Sequence, residues 1–449
     1  IFNYKNIALH WAQLSKQYRL LNDKQQAFIK LLRRLFCIRQ RMVTTKKQMK
    51  LGAFLQGVGH HVAAWRHPDV NPADATRLSH LKNLAQIAER GKFDAIFFAD
   101  VLGLPEIDNR LLAKGAIAYF WEPLTTLAAI AGSTEKIGLI STVSTSYLHP
   151  FHLARLFASL DHISEGRAGW NLVTSGTDFE ANAFGLNNQI PHTERYLRAR
   201  EYVDVVKGLW DSWEDQPYLF DQTSGNFFDP QKLHFLHHQG EYFSVHAALQ
   251  SARPVQGYPV IVQAGSSSDG QALAAATAEI VFTAQQSLQD AQGFYRGLKA
   301  QLAQHGRDPD SLKVMPGVMP IIGRTEAEAQ EKYEQLQSLI DPAVGIALLS
   351  AFLGNIDLSK HGIDDPVPDF PNTEGWQSRQ QLLIDLARRE NLTIRQLYQK
   401  VAGARGHRIV IGTASSIADQ LELWFTEGAA DGFNILAPTF PHGLSEFVD

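Results

Sequence analysis

Residues 263–278, QAGSSSDGQALAAATA, run from an apolar stretch through a glycine and serine turn into an alanine-rich helix. Small residues let main-chain N–H groups approach an anion, serine hydroxyls add donors, and the helix N-terminus that follows carries about half a positive charge. A phosphate suits that chemistry, and an ordinary βα turn with Ser or Asp capping the helix uses the same residues. In PHTERYLRAREY, residues 191–202, His192 and Tyr196 share one helix face, with Arg195 adjacent and Arg200 one further turn along. That face offers donors to a phosphate or to cofactor hydroxyls, or it is a solvated surface paired with Glu194 and Glu201.

A second set of polar residues stands where apolar runs end: Asp100, Thr142, Ser144, Asn171, and the segment from Gln263 to Ser268. Singly each reads as a strand cap or a solvated loop residue; together they form a ring of polar groups around one end of a sheet. His60, His61 and His67, and then His234, His237, His238 and His246, invite a metal reading, but none falls in HExxH or a comparable ligand set. Loop or pocket histidines are the expectation, with no metal. Glu122 and Asp100 are a carboxylate pair of the kind any barrel supplies. Neither GxGxxG after a strand nor GxxxxGK[ST] occurs, which argues against a Rossmann dinucleotide site and a P-loop.

The elements that must hold these residues are short apolar strands alternating with helical periodicity, the pattern of βα units. Strands are expected at 49–55, 94–99, 137–143, 168–173, 259–263, 280–283, 313–321 and 433–436. Eight repeats predict an α/β fold of the (β/α)8 TIM-barrel type, whose active sites lie at the C-terminal ends of the strands. Long insertions follow strands four and seven, at 174–258 and 340–410, and read as lids or substrate walls. No helix is expected after the eighth strand.

Composition bounds the function. Of 449 residues 45% are hydrophobic and 20% charged, enough to bury a large core. Lys plus Arg is 42 and Asp plus Glu 46, a net charge of −4 that excludes a strongly basic nucleic-acid binder. Residues 1–50 hold twelve bases and one acid, Asp23, so residues 1–48 read as a basic extension outside the fold and 49–449 as an acidic barrel domain. The single cysteine, Cys37, excludes an intramolecular disulfide and fits a reducing compartment. With no long apolar span and no small-residue cleavage site in the opening segment, a cytoplasmic location is the expectation.

GHHVAAWRHP at 59–68, FFADVLG at 97–103, WEPLTTLAAIA at 121–131, STVSTSYLHPFHLARLFASLDHISEGRAGWNLVTS at 141–175 and HTERYLRAREYV at 192–203 resemble one family. It comprises the flavin-dependent monooxygenases typified by nitrilotriacetate monooxygenase component A and dibenzothiophene-sulfone monooxygenase, in the bacterial-luciferase-like superfamily. The resemblance implies a TIM barrel holding reduced FMN (FMNH2) supplied by a separate NAD(P)H:flavin reductase, with O2 as co-substrate, homo-oligomeric assembly, and oxidation of a small N- or S-containing compound through a flavin C4a-(hydro)peroxide. It further implies Asp100 and Thr142 beside the flavin and Asn171 on its ring or substrate side. His192 and Tyr196 would lie near the ribityl phosphate, with Ala264, Gly265, Ser266 and Ser267 around that phosphate, and His60 and Trp65 would face substrate. The alternatives are a deazaflavin- or NAD(P)H-linked oxidoreductase on the same barrel, or a flavin-binding protein without turnover.

Overall fold

The computed structural model describes residues 47–106, 108–115, 120–354, 356–369 and 377–449. The basic extension therefore lies outside the described residues except for its last two. Eight parallel strands close into a barrel: β1 (Lys50–Phe54), β2 (Ala95–Phe98), β3 (Gly138–Ser144), β4 (Ala168–Val173), β9 (Val260–Ala264), β10 (Ile280–Thr283), β11 (Lys313–Ile322) and β13 (Gly432–Ile435). Neighbours pair in that order and β13 returns to β1, with Leu51 opposite Phe433 and Gly52 opposite Asn434. This is the expected (β/α)8 architecture, with each strand found where its apolar run stands.

The helices that cover the barrel follow from spacing. In α1 (Leu78–Arg90) the buried positions Leu81, Leu84, Ala85 and Ala88 recur at three- and four-residue intervals, and Gly91 ends the helix. Next come α2 (Pro123–Ala131) and α3 (Pro150–Ile163), each with proline in its first turn, where a missing N–H costs nothing. After β4 the chain forms α4 (Asp178–Ala183) and α5 (His192–Trp210), and α6 (Ser268–Thr277) and α7 (Leu288–Leu302) flank β10. Between strands and helices, Leu84, Ile96, Leu127, Leu139, Trp170, Val206, Leu298 and Phe433 are fully enclosed. A separate layer inside the barrel contains Phe54, Phe97, Ile140, Val262, Phe282 and Met319.

Both insertions carry more structure than their sequences indicate. The aromatic and His-rich part of the first is two antiparallel hairpins: β5 (Tyr218–Asp221) with β6 (Asn226–Phe228), and β7 (Leu236–Gln239) with β8 (Ser244–Ala247). In the second, α8 (Glu326–Ser338) leads to α9 (Pro342–Phe352), α10 (Gln377–Glu390) and α11 (Ile394–Ala404), which pack around their own core of Leu349, Leu353, Leu383, Leu397 and Val401.

A ninth parallel strand, β12 (Arg408–Gly412), follows and was not expected. It pairs with the upper half of β11, Val318 to Ile322, whereas β10 pairs with the lower half, Lys313 to Pro316. The partner changes at Gly317, where a β-carbon would stand 2.5 Å from the ring of His407, so glycine alone admits that ring.

After α12 (Ala414–Thr426) and β13, the expectation of no further helix is corrected: α13 (His442–Val448) packs against α1. Phe447 lies 5.9 Å from Phe93 and Lys332 pairs with Glu446 at 2.6 Å. The segment has only seven helical residues and a mixed pattern, too short for periodicity to reveal. Among the described residues no single helix is long and apolar enough to cross a bilayer.

Candidate functional site

At the C-terminal end of the barrel the turn after β9 forms a cradle. The Ser267 hydroxyl caps α6 by accepting from the Gly270 N–H at 3.2 Å. The Tyr196 hydroxyl, projecting from α5, stands above this turn: a β-carbon on Gly270 would lie 3.2 Å from it and one on Gly265 3.7 Å. Two glycines thus keep open a space that one phenol and one serine hydroxyl border. The His192 ring lies 4.9 Å from the Tyr196 ring, and its Nδ1 is 3.4 Å from Asp269. The Ser266 hydroxyl is 3.1 Å from that of Thr283, tying the turn to β10, and Ala264 is exposed at the strand's end.

Beside the cradle, Thr142 on β3 and Asn171 on β4 are directly paired in register. The Asn171 amide nitrogen donates to the Thr142 hydroxyl at 2.8 Å, and that hydroxyl donates to the Phe98 carbonyl at 2.7 Å. Both side chains are buried, and the Asn171 Oδ1 has no partner. A buried carbonyl oxygen left without a donor is costly, and a ligand N–H or O–H could complete the network.

Asp100, just past β2, has its carboxyl pushed up to about 6 by burial first and by repulsion from Glu122 and Glu180, against donation from the Val101 N–H. Glu122 is not free for acid–base work, because its carboxylate caps α2 by accepting from the Leu124 and Thr125 N–H groups at 2.9 and 2.6 Å. Glu180 is likewise committed: it receives hydrogen bonds from Leu102, Ser175, Gly176 and Thr177.

His60 follows β1 with 1% of its surface exposed. Its Nε2 is 2.8 Å from the Phe54 carbonyl, its ring meets the Phe54 ring edge-on at 4.3 Å, and its Nδ1 has no partner. Burial first, then Arg405, lowers its pKa to about 3, so the ring is neutral. Trp65 is half-buried in the single turn Ala64–Arg66.

Sequence reasoning missed three residues here. His407 stacks on Phe282 at 4.8 Å and 18°, takes a hydrogen bond with the Thr283 main chain, and has an unpartnered Nδ1. Arg405 donates to Gln56, and Arg379 donates to the Arg405 carbonyl at 2.6 Å. The only sequence signal was GARGHR, residues 403–408, a basic run whose position over the barrel depends on the unrecognised strand that its last residue begins. Of the other histidines, His234 pairs with Glu214, His238 with Glu201 and His237 with His246; among the described residues no three metal-binding side chains converge.

Comparison with known proteins gives a consistent result. The profile of the luciferase-like monooxygenases matches residues 55–431. The chain is 51% identical over 411 residues to N-acetyl-S-(2-succino)cysteine monooxygenase of Bacillus subtilis strain 168, covering 91% of this chain and 92% of that protein. It is 49% identical over 411 residues to nitrilotriacetate monooxygenase component A of Aminobacter aminovorans, covering 90% and 91%. Among solved structures, riboflavin lyase crystallised with modified FMN and riboflavin superposes with a TM-score of 0.80 at 30% identity over 90% of each chain.

Proposed function

The chain belongs to the luciferase-like monooxygenase family, and from that premise we propose that it is the oxygenating component of a two-component system, using reduced FMN and O2 to oxidise a small N- or S-containing organic compound. The observation that carries the reading is the cradle itself: two glycines leave room beneath the Tyr196 hydroxyl, next to the unsatisfied Asn171 oxygen. These residues fit FMN. Reduced FMN, when bound, supplies the chemistry that activates dioxygen.

The protein's own contribution is binding, orientation and exclusion of water. Gly265, Ser266 and Ser267 would hold the phosphate with help from the N-terminus of α6, and Tyr196 and His192 would add donors beside it. Thr142 fixes the Asn171 amide so that its Oδ1 accepts a hydrogen bond from the flavin or substrate edge. Asp100, whose carboxyl burial pushes up to about 6, would hold or release a proton at its carboxyl oxygen beside the ring. Helices α9 to α11 wall the mouth and keep water out. His60 and Trp65 face substrate. A separate NAD(P)H:flavin reductase is the proposed partner, supported by the lack of a dinucleotide fingerprint in this sequence and by the name component A of the Aminobacter relative.

Anaerobic titration of the purified protein with FMNH2, followed by assay with NADH, FMN, a generic flavin reductase and 18O2 across amine, thioether and sulfone panels, tests the reading. Tight FMNH2 binding and substrate-dependent incorporation of one labelled oxygen are expected. Absence of FMNH2 binding overturns the assignment, and binding without incorporation turns it into a flavin-binding protein.

A further inference from the structure

Arg379 and Arg405 lie side by side deep in the fold. Arg379 donates to the Arg405 carbonyl, and Arg405 in turn donates to Gln56, which follows β1. The next residues reach across the barrel: the Gly406 carbonyl accepts from Gln286, and the His407 ring sits on Phe282 of β10. Both arginines therefore belong to a strap over the barrel mouth, running from the β1 side to the β10 side. Each keeps part of its surface accessible.

Among the described residues no carboxylate pairs with either guanidinium, although the fold supplies ion partners to Arg77, Arg90, Arg253, Arg324, Arg388, Arg389 and Arg395. Two adjacent cations held away from bulk water without a counter-charge repel each other and lose solvation. Burial lowers both from the usual arginine value to about 10, and Arg379 adds to the effect on Arg405. The same strap brings two neutral histidines, His60 and His407, within electrostatic reach, and each has a bare, buried Nδ1. Two guanidiniums with no carboxylate partner among the described residues, near the unsatisfied His60 Nδ1, are complementary to an anion that also carries a donor.

We propose that Arg379 and Arg405 recognise carboxylate on the substrate of the proposed oxygenase site, so that this chain acts on carboxylated compounds and not on neutral ones. The inference rests on that site being the substrate's. The arginines meet the cradle's requirements from the opposite direction: Tyr196 and Ser267 take one anion at β9, and the strap takes another between β1 and β10. Guanidinium forks bind carboxylates through two parallel hydrogen bonds, which fixes orientation as well as charge. The bare Nδ1 of His60 accepts from an N–H or O–H of the same molecule.

The test uses calorimetric titration of the FMN-loaded full-length chain with nitrilotriacetate and N-acetyl-S-(2-succino)cysteine, each beside its methyl ester. The acids are expected to bind at least tenfold tighter than the esters, with Arg379→Gln and Arg405→Gln removing most of that preference and Arg379→Lys retaining part of it. FMN affinity of all three variants stays within twofold of the parent, and thermal melts verify folding. Equal binding of acids and esters, no binding of either acid, or an unchanged preference in both folded Gln variants overturns the proposal. Carboxylate binding to a protein that fails to bind FMNH2 sinks the oxygenase reading and leaves the arginine site standing.

Discussion

The Asn171 amide and the Thr142 hydroxyl are joined at 2.8 Å across adjacent strands, and the hydroxyl donates its own hydrogen bond to the Phe98 carbonyl. One threonine thereby fixes which end of the asparagine faces outward. Thr142→Val keeps the shape and deletes both bonds, leaving a buried N–H donor unsatisfied at a cost of about 1–3 kcal/mol. Urea unfolding should show that loss together with weaker FMN binding, and Thr142→Ser should recover most of both.

Gly270 is where the cradle is narrowest. Gly270→Ala brings a methyl to 3.1 Å from the Ser267 hydroxyl and 3.2 Å from that of Tyr196. Helical propensity favours alanine by up to about 1 kcal/mol, so stability should hold or rise. FMN affinity should fall by about tenfold while riboflavin, which has no phosphate, binds as before. Equal losses for both ligands would move the phosphate away from this turn.

Asp100 gives a pH signature. Its folded carboxyl binds a proton that the unfolded chain releases, so its stabilising contribution exists at low pH and disappears as pH rises through about 6. Relative to the parent, Asp100→Asn should therefore melt higher by a margin that widens from pH 5 to 7 and then stays constant. Melting scans at half-unit intervals check the sign.

The buried histidines act oppositely. His60 and His61 are lowered to about 3, chiefly by burial, and His407 lies well below its ordinary value for the same first reason. Their contribution is complete above about pH 6.5 and is lost as pH falls toward 3, because the unfolded chain takes up protons that the folded chain refuses. Asp100 and Glu279, both raised, oppose this. The clean check is a difference: His61→Asn should reduce the slope of unfolding free energy between pH 6 and 5 by about 1.4 kcal/mol per pH unit.

The barrel was legible because its strands are apolar runs separated by amphipathic helices, and each inward polar residue proposed for the cofactor stands at a strand's end. The turn after β9 and the helix it opens were legible from small residues between an apolar run and an alanine-rich stretch, and Ser267 is the cap that pattern suggests. What escaped notice depends on tertiary placement. RIVIG, residues 408–412, follows a helix directly and gains strand character only by lying against β11. Arg405 and His407 then look like surface residues, since nothing local says that they hang over Phe282. The capping roles of Glu122 and Glu180 were equally hidden, because a carboxylate that closes a turn and one that moves a proton are the same letter in a sequence.

Strand β11 zips to β10 along its lower half and to β12 along its upper half, with the chain between residues 340 and 404 leaving and returning around that seam. The excursion has a core of its own and re-enters on a single ladder, so it behaves as a cassette clipped onto an unaltered chassis. Exchanging it for the corresponding piece of a relative should retune which molecules are accepted while leaving the turn after β9 untouched, and evolution can diversify one face of the enzyme without rebuilding the other.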